Sequence, residues 1–104
     1  MRRFKVVEES MLPVLRPGDL LVAWPDADPA AGSIVVFPHP GQSGMWLVKR
    51  VAAAEAGEAW VLSDNAGATR ADSRTFGWVS TELMHRARWR FRRPLSITRL
   101  TADA

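Results

Sequence analysis

The chain of 104 residues has no cysteine and no tyrosine, only two histidines (His39 and His85) and only two lysines (Lys5 and Lys49). Without cysteine there is no disulfide framework, no thiol nucleophile and no cysteine-ligated zinc. Two histidines do not make an all-histidine metal centre, so neither a metal nor another cofactor is expected. Long apolar runs are missing as well. The longest, such as residues 20–24, extend over about five residues, against the roughly 20 that a membrane-spanning helix needs. The basic start Met1-Arg2-Arg3-Phe4-Lys5 meets Glu8 and Glu9 at once, which leaves no apolar core for a signal peptide. The expectation is a chain without a transmembrane anchor that stays in the cytoplasm.

What is present is unevenly spread. The net charge is +3, but residues 1–85 carry −2 and residues 86–104 carry +5, nearly all of it arginine. A basic element therefore sits on a mildly acidic body. The length suits one domain, residues 1–104, with a single modest core.

Short β-prone stretches alternate with turn signals. Residues 4–7, 20–24, 33–37, 45–53, 58–62 and 76–79 read as strands, and residues 81–84 as one helical turn. Arg16-Pro17-Gly18-Asp19 is a turn, because proline presets φ and glycine accepts a positive one. Residues 25–32 and 41–44 are loops, and 63–75 is a polar segment. Residues 86–92 alternate strictly, with Arg86, Arg88, Arg90 and Arg92 on one face and Ala87, Trp89 and Phe91 on the other. That stripe predicts a basic strand over 86–93 with a solvated arginine face, followed by a tail at 95–104. The pattern as a whole predicts a mainly β fold, a small sandwich or barrel-like domain.

Two residues stand out chemically. Alternation over 45–53 puts Lys49 on the face of Met45, Leu47 and Val51, with Trp46, Val48, Arg50 and Ala52 on the other. A lysine so placed either snorkels to water from an edge strand or is buried, loses its proton and becomes a general base. Burial disfavours the charged form, so it lowers the pKa of such an amine and favours the neutral base. Ser10, before a Met-x-Pro sequence in a turn, is either a backbone cap or a nucleophile. Taken singly, neither residue decides between its two roles.

Together with their surroundings they form an ordered set of motifs. Ser10-Met11-Leu12-Pro13-Val14-Leu15-Arg16-Pro17-Gly18-Asp19 resembles the nucleophile box of the signal peptidase I family, Ser-Met-x-Pro-x-Leu-x-x-Gly-Asp. Gly32-Ser33-Ile34-Val35-Val36-Phe37 resembles its Gly-Asp-x-Val-x-Phe strand, with Ser33 in place of Asp, and Lys49-Arg50-Val51 its Lys-Arg-Val box. Ser63-Asp64-Asn65 and Asp72-Ser73-Arg74-Thr75-Phe76-Gly77 are similar to its last box, so the resemblance covers residues 6–80 in family order. It implies the β fold shared by signal peptidases and LexA-like peptidases. It also implies a serine endopeptidase in which Ser10 attacks, Lys49 takes the proton and the Ser10 backbone N–H stabilises the oxyanion. Asp64, Asn65, Asp72, Ser73 and Arg74 would support the site, with Asp72 and Arg74 as a surface ion pair, and Met11 and Pro13 would touch substrate.

Two positions depart from the family pattern. Glu8 stands where a small or hydroxyl residue often assists the oxyanion, and Arg70, next to Thr69, stands where a hydroxyl bonds the lysine. LexA-like repressors share the Ser/Lys logic, but residues 1–9 do not read as their helix-turn-helix domain, so a repressor is not the expectation. The missing anchor makes the resemblance nearest to the short maturation proteases of nickel-type superoxide dismutase. The expected partner is then a protein precursor whose N-terminal leader or propeptide is removed, with nickel belonging to the substrate and no nucleic acid involved. One alternative is a soluble signal-peptidase-like enzyme that processes exported precursors, with weak membrane-surface contact through strand 86–93. Another is a non-catalytic nucleic-acid-binding β-module using the arginines of that strand.

Overall fold

The computed structural model describes residues 1–68 and 71–102. It contains β1 (Arg2–Lys5), β2 (Leu20–Pro25), β3 (Ile34–Pro38), β4 (Trp46–Glu55), β5 (Glu58–Leu62), the single-turn helix α1 (Ser73–Phe76), β6 (Val79–Ser80), β7 (His85–Arg92) and β8 (Ser96–Arg99). All eight strands belong to one antiparallel sheet of order β1-β2-β7-β3-β4-β5-β6, with β8 on β7. The mainly β expectation holds, realised as one coiled sheet. Phe4 on β1 and Trp46 on β4 have ring centroids 5.3 Å apart although three strands lie between them. A flat sheet would separate them by roughly 19 Å at ~4.8 Å per strand. The sheet therefore curls until β1 returns over β4, giving a barrel-like body.

The continuous apolar run of β3 explains where the core lies. Ile34 and Val36 point into one cluster and Val35 and Phe37 into another, so this strand is covered on both faces. The first cluster is filled from the segment before β2, which inserts Val6, Met11 and Leu15 against Leu21, Ala23, Ile34 and Val36. The second packs Val35, Phe37, Leu47, Val51 and Val61 beneath Val79 and Met84. No helix among the described residues is long and apolar enough to cross a membrane.

The arginine stripe is not built as its alternation predicts. Val22 pairs with Trp89 and Ala23 with Ala87, so Arg88 is an extra residue at a β-bulge. The facing reverses across it. Ala87 is buried in the first cluster, while beyond the bulge Arg90 lies opposite buried Leu21 and Trp89 turns outward beside Val22. Arg90 donates to the Val14 carbonyl at 2.8 Å and to Thr98 Oγ1 at 2.8 Å. Arg92 grips Asp19 through Nε at 2.8 Å and Nη2 at 2.7 Å. Arg86 lies 3.8 Å from Asp26, so three of the four stripe arginines are bound within the protein, and Arg88 stands 5.5 Å from the Trp24 ring centroid.

Further boundaries differ: the strand expected at 4–7 lies at Arg2–Lys5, and Val6 leaves it for the first cluster. Phe76 closes α1, capped by Asp72, and the strand expected at 76–79 shrinks to Val79–Ser80. Residues 81–84 form a turn without helix. The tail expected at 95–104 contains β8, which returns along β7 with Ile97 opposite Phe91. Four residues after a proline were too few to show their period.

Asp19 is 1% exposed. Burial pushes its pKa up, but the bonds from Arg92 and the Arg16 N–H and the charges of Arg92 and Arg90 outweigh this and hold it below the usual value. This clasp ties the inserted segment to β7. Asp19→Ala is expected to cost about 3 kcal/mol in urea unfolding, since Arg92 loses its partner. Exposed Arg93→Ala should stay within about 0.5 kcal/mol. The stability from Asp19 is present above the unfolded carboxylate pKa and is lost as pH falls through the lowered folded value. Gly32→Ala should also destabilise, as φ is +93° and a Cβ would run into the Ala102 carbonyl.

Candidate active site

The turn that carries Ser10 is fixed from two sides. Val6, Met11 and Leu15 anchor it in the first cluster. From the other side the Asn65 N–H donates to the Ser10 carbonyl at 2.8 Å, and Asn65 Nδ2 donates to the Glu9 carbonyl at 3.1 Å. The Asp64 N–H reaches Met11 Sδ at 3.5 Å. Ser10 is consequently nearly buried, 6% exposed, with its hydroxyl aimed inward.

Lys49 arrives from β4. It lies opposite Val35 in the β3–β4 register, on the face of Leu47 and Val51. Of the two roles that alternation left open, the side chain does not snorkel: Lys49 is 1% exposed and its Nζ lies 3.1 Å from Ser10 Oγ. Burial pushes the amine below its ordinary pKa of 10.5, and the negative charges of Glu8 and Asp72 pull the other way without cancelling the shift. A neutral amine beside a hydroxyl can accept its proton.

The supporting residues bind one another. Arg50, on the opposite face of β4, donates to Asp64 through Nε and Nη2, both at 2.9 Å, and to the Gly32 carbonyl at 2.8 Å. Asp72 is fully buried, not the surface group expected, although its partner Arg74 is half exposed. It caps α1 through the Arg74 N–H, receives Arg74 Nε and Nη2 at 3.1 and 2.7 Å, and accepts the Ser63 N–H at 3.1 Å. Burial raises its pKa, and these bonds with the Arg74 charge bring it below the usual value. Ser73 Oγ accepts the Val61 N–H at 2.8 Å. The polar loop is thereby stitched to β5 behind the lysine. Thr69 and Arg70 lie outside the described residues.

A cleft of about 270 Å³ opens on the pair, between residues 5–11 and residues 44–49. Met11 lines it, whereas Pro13 is exposed and not part of its wall. Its apolar walls also include Val6, Trp46, Leu47 and Val48, and Glu8 stands at the surface beside them. Sequence inspection missed Trp46, Leu47 and Val48 as lining residues, because only the curl of the sheet brings β4 against the segment after β1. Among the described residues one edge of β4 has no strand partner there: β3 pairs with it from Trp46 on, but β5 only from Arg50 on. Among the described residues no group of three His, Asp or Glu is placed to hold a metal.

Residues 3–77 match the family model described as Peptidase S24-like. Searches of curated proteins and of solved structures return no match.

The folded chain holds the Lys49 proton less tightly than the unfolded chain. Stability should therefore rise with pH from the lowered folded pKa up to about 10.5. Lys49→Met is expected to raise the melting temperature near neutral pH, with the gain shrinking as pH increases through that window. Thermal melts of both proteins at a series of pH values from neutral up to about 10 read the effect. Parallel curves would mean that Lys49 carries no such penalty.

Proposed function

Since the chain belongs to the Peptidase S24-like family, a family of serine peptidases, we propose that it cleaves peptide bonds with Ser10 as nucleophile and Lys49 as general base. The observation that carries this is the 3.1 Å approach of Ser10 Oγ to a lysine amine withdrawn from water. As Oγ attacks the scissile carbonyl, the neutral amine takes the hydroxyl proton. The tetrahedral oxyanion collapses, the ammonium passes its proton to the leaving amine, and an ester to Ser10 remains. Water then attacks the ester, giving its proton to the same amine, and the acid product leaves with the serine restored.

Among the described residues the Ser10 N–H has no backbone acceptor, which supports its proposed role as an oxyanion donor. Glu8 would repel an oxyanion, so stabilisation rests on backbone donors. Glu8 instead acts on the base, raising the Lys49 pKa through its charge. The open edge of β4 over 46–49 suits an extended substrate that adds as a strand, with an apolar side chain in the cleft.

Within this chemistry the proposed substrate is the N-terminal leader of a cytoplasmic protein precursor, with the precursor of a nickel-type superoxide dismutase as first candidate. The support for that choice is the likeness of the motif boxes to signal peptidase I and its shorter relatives. Incubation with that precursor and N-terminal sequencing of the product tests it.

Ser10→Ala and Lys49→Ala are each expected to lower cleavage by at least ~10³-fold with the circular-dichroism spectrum retained. Cleavage that survives both would exclude the dyad. Glu8→Gln removes a charge that raises the Lys49 pKa, so the rising limb of the pH–rate profile should move to lower pH.

A further inference from the structure

A second concave surface lies on the outer face of the sheet, away from both clusters. The registers align Lys5, Leu20, Phe91 and Ile97 as one row across β1, β2, β7 and β8. Directly opposed residues share a face, so three apolar side chains stand side by side with a cation at the end. Ile97 is 61% exposed, and Leu95, in the turn between β7 and β8, is 92% exposed. Together with Arg93 they border a groove of about 550 Å³, about twice the volume of the cleft. None of its lining residues is acidic. The neighbouring row repeats the theme with Arg3, Val22, Trp89 and Arg99.

Lys5 lines both the groove and the cleft that opens on Ser10, so the two adjoin. A molecule in one is in reach of the other. The groove is concave, which suits a chain laid into it better than a flat bilayer. Phe91, the one aromatic residue that lines it, is half buried, and in the neighbouring row the Arg99 guanidinium already stands 5.6 Å from the Trp89 ring centroid, which leaves no run of open rings for stacked bases. An apolar floor flanked by Lys5 and Arg93 calls for apolar side chains interspersed with carboxylates.

We propose that this groove is a second binding site for polypeptide, taking a segment of the substrate remote from the scissile bond that carries apolar residues flanked by Asp or Glu. That this segment belongs to the cleaved molecule rests on the peptidase function proposed above; the affinity of the groove for such a segment does not.

The test uses the ¹⁵N-labelled full chain carrying Ser10→Ala, so that nothing is cleaved, titrated with the peptide Glu-Leu-Asp-Phe-Glu-Leu-Asp capped at both ends. The amides of Leu20, Phe91 and Ile97 should shift. The same peptide with lysine at every acidic position should bind about tenfold more weakly, and so should the acidic peptide at about 0.5 M salt. Adding Leu95→Asp and Ile97→Asp, both at exposed positions, should also weaken the acidic peptide about tenfold, in a protein whose remaining spectrum is unchanged. Equal binding of the two peptides, no binding, or shifts confined to residues 44–49 would overturn the proposal. So would phosphatidylglycerol vesicles or a single-stranded oligonucleotide engaging these residues when the acidic peptide does not. Because binding is read without cleavage, its failure leaves the role of Ser10 and Lys49 intact, and cleavage that survives Ser10→Ala would leave the groove intact.

Discussion

A lysine ammonium cannot stay charged in an apolar interior without a partner, and the fold depends on how it handles that one group. Lys49 enters the interior because β4 alternates and because Val35 and Leu47 share its face. Burial there is unfavourable to folding, and what offsets it is the packing of two clusters around a strand covered on both sides. The hydroxyl that meets the amine comes from a segment distant in sequence, so that segment must be held closely. Three core side chains, the Asn65 bonds and the Asp19–Arg92 clasp do so.

The arginines explain why the lysine stays without a carboxylate of its own. Asp19 is held by Arg92, Asp64 by Arg50 and Asp72 by Arg74. A carboxylate bonded directly to Lys49 would favour the ammonium and raise its pKa. Each of these three acids is instead satisfied by a guanidinium, and only the longer-range charges of Glu8 and Asp72 still act on the amine. The scarcity of lysine and abundance of arginine thus has a local meaning. Arginine remains charged and serves the ion pairs, while the one buried lysine is left to titrate.

Much of this was legible in the sequence because it depends on short-range pattern. Continuous apolar runs marked β2 and β3, alternation put Lys49 on the inward face, and ordered motifs marked Ser10, Asp64 and Asp72. What was not legible depends on pairing. The strict period of residues 86–92 conceals the bulge at Arg88, since a bulge is a mismatch between two strands and neither strand shows it alone. From it follow the inward turn of Arg90 and Arg92 and the outward turn of Trp89 and Phe91. The cleft wall at Trp46–Val48 and the row of Lys5, Leu20, Phe91 and Ile97 likewise arise only when distant strands are laid side by side.

The most direct test of the account is a titration of Lys49 itself. With only two lysines in the chain, selective ¹³C labelling gives two Cε signals, and the spectrum of Lys49→Met identifies which belongs to Lys49. The Lys49 signal should titrate below 10.5, with a midpoint that coincides with the rising limb of the cleavage rate. A Lys49 midpoint at or above the ordinary value would show that the buried amine keeps its proton, and would contradict its role as the base.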